Sequence, residues 1–329
     1  MYMLDDYYAV SEISGVIDRT KKLLWPFQWG VWLRIALIAL FIGGGGFNLP
    51  SGSYGDFSDA DLPPVSLSDL GMDDLGLILI IAGVVLLLAL IWMFIGSVLQ
   101  FVFIDCLTSG RILLSRTFSE RSGKGVRLLL FNIAIGLIFL LVIAVLFLIF
   151  FLPVMGGAPP GNAMAIGGVL VFLLLMLVLL IPVALIAVFT TDFVVPVMIR
   201  DDCGVIAAWR QVIAILAPEW KQALVYVFAK IVLGIAAAIL LVIAILLVLI
   251  LIGIPFVIIG VVLATVFKVM NVMLLLLLLI PFFAIIIPVA LLIQVPFVTF
   301  FRYYSLQVLG RLNAKYALLP GESMDEPAV

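Results

Sequence analysis

A reactive site needs side chains that can carry a proton, hold a metal or attack a bond, and this chain offers few. It contains no histidine, which removes the commonest general base, a common metal ligand and the ordinary switch near neutral pH. Its two cysteines, Cys106 and Cys203, lie far apart, each just after an apolar run; isolated thiols form neither a disulfide framework nor a metal site. No two acids stand at helical spacing within a run, and Ser97, the serine deepest in one, shares it with no lysine or arginine. The parts of an acid pair or a Ser/Lys dyad are missing. The chain is therefore expected to be non-enzymatic, with no catalytic residue, no metal and no cofactor.

Three ionisable residues close or enter apolar runs and form a candidate intramembrane polar site: Asp105, Asp192 and Lys230. A charge in such a place is expensive, so each needs a partner, water or a purpose. Pro196, four residues after Asp192, denies the helix a donor and frees backbone carbonyls. Lys230 lies a turn or two inside the next run. If those two runs pack side by side, Asp192 and Lys230 meet at one depth, either locking the helices or exchanging partners with a solute. Otherwise headgroups wet Asp105 and Asp192, while Lys230, like Arg34, snorkels to the surface. Between the two runs, Gly204 to Ala217 reads as a short amphipathic helix ended by Pro218. Val205, Trp209, Val212 and Leu216 form its apolar stripe with Ile206 and Ile213 beside it, and Arg210 and Gln211 lie opposite. That pattern suits an interfacial helix over 204–217, or a helix that docks a partner or gates.

The elements that must position these residues are apolar. The chain is 66% hydrophobic and 11% charged, with mean hydropathy +1.42, too little polar material to cover a soluble domain of 329 residues. A net charge of −2 provides no basic face for nucleic acid. The partners expected are membrane lipids, with protein partners or further copies of the chain. Runs long enough for the roughly 20 residues of a span fall at about 29–47, 77–104, 128–155, 166–190, 223–252 and 272–300. They predict an all-α, polytopic integral membrane protein with six transmembrane helices as three hairpins. Spans two and four leave through similar words, Val102-Phe103-Ile104-Asp105-Cys106 and Val188-Phe189-Thr190-Thr191-Asp192, as an internal triplication would; span six leaves through Pro296-Phe297-Val298-Thr299-Phe300, without the acid.

Charge sets the sidedness. Of the 17 Lys and Arg, only Lys268 lies away from the N-terminus, the two basic connections and the C-terminus. The positive-inside rule then places both termini in the cytoplasm of a multi-pass cell-membrane protein. The domain organisation follows: 1–28 is a cytoplasmic amphipathic segment lying on the membrane, 29–304 the membrane domain and 305–329 a cytoplasmic tail. Asp5, Asp6, Glu12 and Asp18 interrupt any apolar core a signal peptide would need. The outer loop 48–76 carries aspartates and no Lys or Arg, without the spacing of a calcium loop. Gly43–Gly46 has neither the strand nor the Gly-Lys-Ser/Thr of a phosphate loop. The stretch 255–270 is short for a span, and a seventh crossing would move Arg302, Arg311 and Lys315 outside, so it is expected as a re-entrant segment on the outer face.

Lys22-Leu23-Leu24-Trp25-Pro26 followed by the run from Trp32 to Gly46 resembles the N-terminal signature of a family of uncharacterised archaeal membrane proteins. Asp192-Phe193-Val194-Val195-Pro196, with Gly204 and Ala208-Trp209, is similar to a wider group of six-span prokaryotic proteins related to the membrane domain attached to some glycerophosphodiesterases. The resemblance implies an archaeal cell membrane and an all-helical fold; it implies no activity. The function expected is that of a non-enzymatic membrane component organising lipids or partner proteins, the alternative being a transporter or channel for a small or lipidic solute.

Overall fold

In lipid, a backbone can pair its polar groups only within helices or closed barrels. A computed structural model of the chain describes residues 8–42, 72–109, 114–155, 162–265 and 272–319, and every element among them is helical. In order these are α1 (Tyr8–Ser11), α2 (Ile13–Leu24), α3 (Trp29–Ile42), α4 (Met72–Ser109), α5 (Leu114–Met155) and α6 (Asn162–Phe189). A π-helical turn (Thr190–Val194) then leads to α7 (Val195–Arg200), α8 (Val205–Leu216), α9 (Trp220–Thr265), α10 (Val272–Leu312) and a closing 3-10 turn (Ala314–Tyr316). The Gly43–Gly46 exit, the loop 48–71, Lys268 and the tail end 320–329 lie outside the described residues.

Among the described residues, five stretches are long and apolar enough to cross a membrane: Gly76–Ser109, Thr117–Phe151, Gly167–Arg200, Trp220–Leu263 and Leu277–Leu312. The α1–α2 limb and α3, bent by 120°, would supply a sixth if counted as one span. The lengths are unequal. With 46 residues, α9 runs roughly 69 Å at about 1.5 Å per residue, against a hydrocarbon core of about 30 Å. The 14 residues of α3 reach only about 21 Å.

Two expectations change. The stretch 255–270, expected as a re-entrant segment of its own, begins inside α9, which passes through Pro255 to Thr265. The stretch 255–265 therefore extends that helix instead of forming a separate piece, and 266–270 lie outside the described residues. A proline removes one intrahelical bond, and where the alternative is bare backbone in lipid the helix carries on around it. The amphipathic N-terminal segment, for its part, docks on protein. α2 packs along α10 with Val16 and Leu24 buried, Glu12 accepts from Arg311 Nε at 2.7 Å, and the Tyr304 hydroxyl donates to Ala9 O at 2.9 Å.

The core sits at one end of the helix set. Fully buried side chains come from α3 (Ile38), the last turns of α4 (Phe101, Phe103), the π-turn and α7 (Phe193, Met198), the start of α9 (Tyr226) and the end of α10 (Tyr304, Leu306). Close crossings tie this end together: a Cβ on Gly96 would lie 2.7 Å from Phe41 O, and one on Gly125 2.3 Å from Val98 Cγ2, so α3–α4 and α4–α5 approach only because these residues are glycine. Farther along, the same helices show their apolar flanks, with Leu79 71% exposed, Leu141 66% and Ile280 68%.

Candidate functional site

α6 enters the core through its π-turn. In that register an N–H bonds the carbonyl five residues back, and Val195 N–H reaches Thr190 O. The next bond would run from residue 196 to Thr191 O, but Pro196 has no N–H to give. Arg302, from α10, takes the place: its Nη1 donates to Thr191 O at 2.6 Å. The arginine is buried, with its guanidinium 5.8 Å from the centre of the Phe103 ring, a distance at which the ring face attracts a cation.

The same turn aims Asp192 inward. The residue is 4% exposed, and its carboxylate accepts from the Tyr226 hydroxyl at 2.7 Å and from Lys230 Nζ. Tyr226 and Lys230 stand four residues apart and so share one face of α9. The Tyr226 ring is held between Phe193, 4.8 Å away between centroids, and Tyr304, at 5.5 Å. Beside this cluster is a cavity of about 140 Å³ whose wall includes Phe103, Thr191, Asp192, Lys230, Phe301 and Arg302. Among the described residues that wall carries one acid and two cations.

Of the three sequence-chosen ionisable residues, the structure therefore unites Asp192 and Lys230; the lysine reaches an acid instead of snorkelling. Asp105 stands apart. It takes a two-point contact from Arg121, Nε to Oδ2 at 2.8 Å and Nη2 to Oδ1 at 3.2 Å, within α4 and α5. The amphipathic helix expected over 204–217 is α8, and its inward stripe is Val205, Ala208 and Val212 with Trp209 half-buried beside it. Ile206 and Ile213 point out, as does Arg210. The Trp209 Nε1 is buried and meets no acceptor among the described residues.

Gln211 belongs to a polar clamp at the chain's end. Tyr316, its hydroxyl 3.0 Å from Gln211 Oε1 and 2.9 Å from Asp201 Oδ2, sits beside Lys315, whose Nζ donates to Asp201 Oδ2 at 2.8 Å. The Lys315 hydrogen bond, with help from Tyr316, holds the Asp201 carboxyl below its ordinary range, and the same bond raises Lys315. Burial pushes the Cys203 thiol up. Next to it Lys124 Nζ caps α7, donating to Met198 O at 2.9 Å and pairing with Asp202 Oδ1 at 2.6 Å. Asp202 takes a positive φ of 49°, the left-handed turn in which helices commonly end.

Arg302, Tyr226, Thr191 and Phe103 were not legible as site residues. Tyr226 left one signal, its four-residue spacing from Lys230. Arg302 left none beyond being the first charge after a long apolar run, where the positive-inside rule accounts for any cation.

A sequence model of a family of unknown function, DUF7544, matches residues 7–319. No curated protein and no solved structure matches the chain.

Proposed function

The chain belongs to that family of unknown function, and we propose that it is a non-enzymatic, six-span component of the cell membrane that organises lipids or partner proteins. In this reading the spans form three hairpins and both termini are cytoplasmic, as the apolar runs and the placement of Lys and Arg suggest, and the membrane is an archaeal one, as the resemblance of the N-terminal signature implies; the resemblance to the glycerophosphodiesterase membrane-domain group is in keeping with six spans. One observation carries it: among the described residues buried charge is gathered at a single end, while the remaining helix length offers open apolar sides. The cleft between α9 and α10, about 610 Å³ and lined by Leu249, Gly253, Phe256, Leu278 and Phe282 among others, is apolar throughout its described wall. Such a surface suits acyl chains or apolar helices and gives a polar solute no path.

The second reading, a transporter or channel, is favoured by the charged cavity beside the π-turn, since helix breaks with freed carbonyls recur at transport sites. Native mass spectrometry of the gently solubilised full chain separates the two. Retained lipids or bound subunits support the organiser. A bare monomer that moves a solute across proteoliposome membranes would overturn it in favour of the transporter.

A further inference from the structure

We infer that the cavity beside Arg302 is a binding site for a phosphate group, supplied by an anionic lipid headgroup or by free phosphate. The argument begins with charge. Among the described residues, Asp192 offsets one of the two cations in the wall, and Lys230 is the one it contacts. Arg302 keeps a positive charge, and its planar fork has N–H donors beyond the one that meets Thr191 O. A buried guanidinium is best matched by a planar or tetrahedral oxyanion that takes two of those donors at once.

Size agrees. At about 140 Å³ the cavity is close to the roughly 150 Å³ that admits a small ring, so it takes a phosphate group but not a whole lipid. Depth agrees as well. Residues 162–191 run up to Asp192 and 272–301 up to Arg302 without an acid or base. Each such stretch is about 45 Å of helix, against about 40–45 Å for a bilayer including its headgroups. The charged cluster therefore falls where lipid phosphates lie, at the end where the chain's core is folded. For the lipid source this rests on the lipid-organising reading and names the group held; for free phosphate it does not depend on that reading.

The test is thermal unfolding of the purified full chain in neutral maltoside detergent, titrated in separate arms. One arm uses sodium phosphate against sodium gluconate at equal ionic strength; the other uses phosphatidylglycerol against phosphatidylcholine in mixed micelles. At least one arm should raise the midpoint by several degrees. Arg302→Lys, which keeps the charge and loses the fork, should need at least ten times more of the same probe for half that rise. Ala187 stands in the same wall; Ala187→Leu, which puts a larger apolar side chain there and leaves every charge in place, should abolish the rise, and it also serves should the arginine variant not fold. A response to phosphate alone keeps the site and withdraws its support from the lipid-organising reading; a response to phosphatidylglycerol supports both. No rise in either arm, or an Ala187→Leu variant that responds like the wild type, overturns the site. Lipids seen on the protein by native mass spectrometry would still leave the organiser standing in that case.

Discussion

Replacing Asp192 by asparagine keeps the shape of the side chain and removes the single negative charge from a wall that also holds Lys230 and Arg302. Taking one partner from a buried ion pair costs about 3–5 kcal/mol. Here Lys230 loses the acid it contacts with a second cation, Arg302, in the same wall, and Asp192 is 4% exposed, so the loss belongs near the top of that range. Lys230→Met is milder, because Asp192 keeps the Tyr226 hydroxyl and faces Arg302 across the same cavity; losing one charge-assisted bond costs about 1.5–3 kcal/mol. At about 2.1 cal/mol/K of unfolding entropy per residue, 329 residues translate 1 kcal/mol into roughly 1.4 °C. Asp192→Asn should then melt about 6–7 °C lower and Lys230→Met about 2–4 °C lower. The double variant removes a contact already lost, so it should fall short of the sum by about 1–3 kcal/mol. Tryptophan fluorescence in detergent reads all four proteins, with Trp32 and Trp209 packed against the core end. Single losses that add to within about 0.5 kcal/mol, or an Asp192→Asn protein that melts like the wild type, would refute the pairing and return both residues to wetted interface groups.

Further outcomes follow from the same contacts. Tyr226→Phe should lower the melting temperature by about 2–4 °C by removing a buried bond to a carboxylate; an unchanged melt would show that the hydroxyl does not hold Asp192. Gly125→Ala, whose Cβ would fall 2.3 Å from Val98 Cγ2, should lose about 1–3 kcal/mol by overpacking. Gly123→Ala, with open space around it, should be neutral or gain up to about 1 kcal/mol from helix propensity; equal effects would put the α4–α5 crossing elsewhere. The Asp201–Lys315 clamp has a pH window. The lowered Asp201 carboxyl stabilises the docked end above its unfolded value of about 3.9 and loses that contribution as the pH falls through its folded value. The raised Lys315 contributes below about 10.4 and loses its share as the pH climbs through its folded value. Protection of the amides at 314–317, taken as exchange relative to the intrinsic rate at each pH, should therefore hold from about pH 5 to 9 and fall below about 4; protection insensitive to acid would deny Asp201 its role. Finally, an impermeant maleimide should label neither cysteine on sealed cells. After permeabilisation Cys203 should react slowly, its thiol raised by burial, and buried Cys106 hardly at all; labelling of Cys203 from outside would overturn the sidedness.

Much of the architecture was legible because the physics behind it is local. A run of about 20 apolar residues has to be a helix in lipid, and the stripe of 204–217 has to lay one face on something. The side on which such helices pack is not local. Val16 and Leu24 mark α2 as amphipathic, but a membrane surface and α10 satisfy an apolar face equally, so docking on α10 through Glu12 and Arg311 could not be read. The stretch 255–270 looks separate because it is short for a span and a seventh crossing would upset the charge rule. Neither length nor charge reveals that the preceding helix can run on into it: α9 passes Pro255, since a proline costs a helix less where the freed groups would face hydrocarbon than where they find solvent. The pairing of Asp192 with Lys230 was within reach because two charges bordering neighbouring runs have few other ways to be satisfied. Arg302 was out of reach because a cation ending a span is ordinary.

The contrast between Asp105 and Asp192 shows what turns such an end into a site. Both acids close long apolar runs, in similar words, on helices that enter the same core. After Asp105 the chain continues as Cys106-Leu107-Thr108-Ser109 and α4 keeps its regular turns, with the Thr108 and Ser109 hydroxyls donating back to Ile104 O and Asp105 O. The local carbonyls are satisfied from within, and the acid takes an arginine in a two-point contact, its side chain 24% exposed while the acid's own is 21% exposed, so water still reaches the pair. After Asp192 comes Pro196, so the π-turn reaches a carbonyl that its own helix cannot serve. A donor must come from another element, and the one that comes is a guanidinium on α10. Bringing that group in buries a cation beside an acid already held by Lys230 and Tyr226, and the cavity wall becomes positive. On this view the proline, four residues from the acid and outside the cavity wall, is what makes the charge at this helix end part of a binding site and leaves its counterpart at Asp105 a tie between two helices.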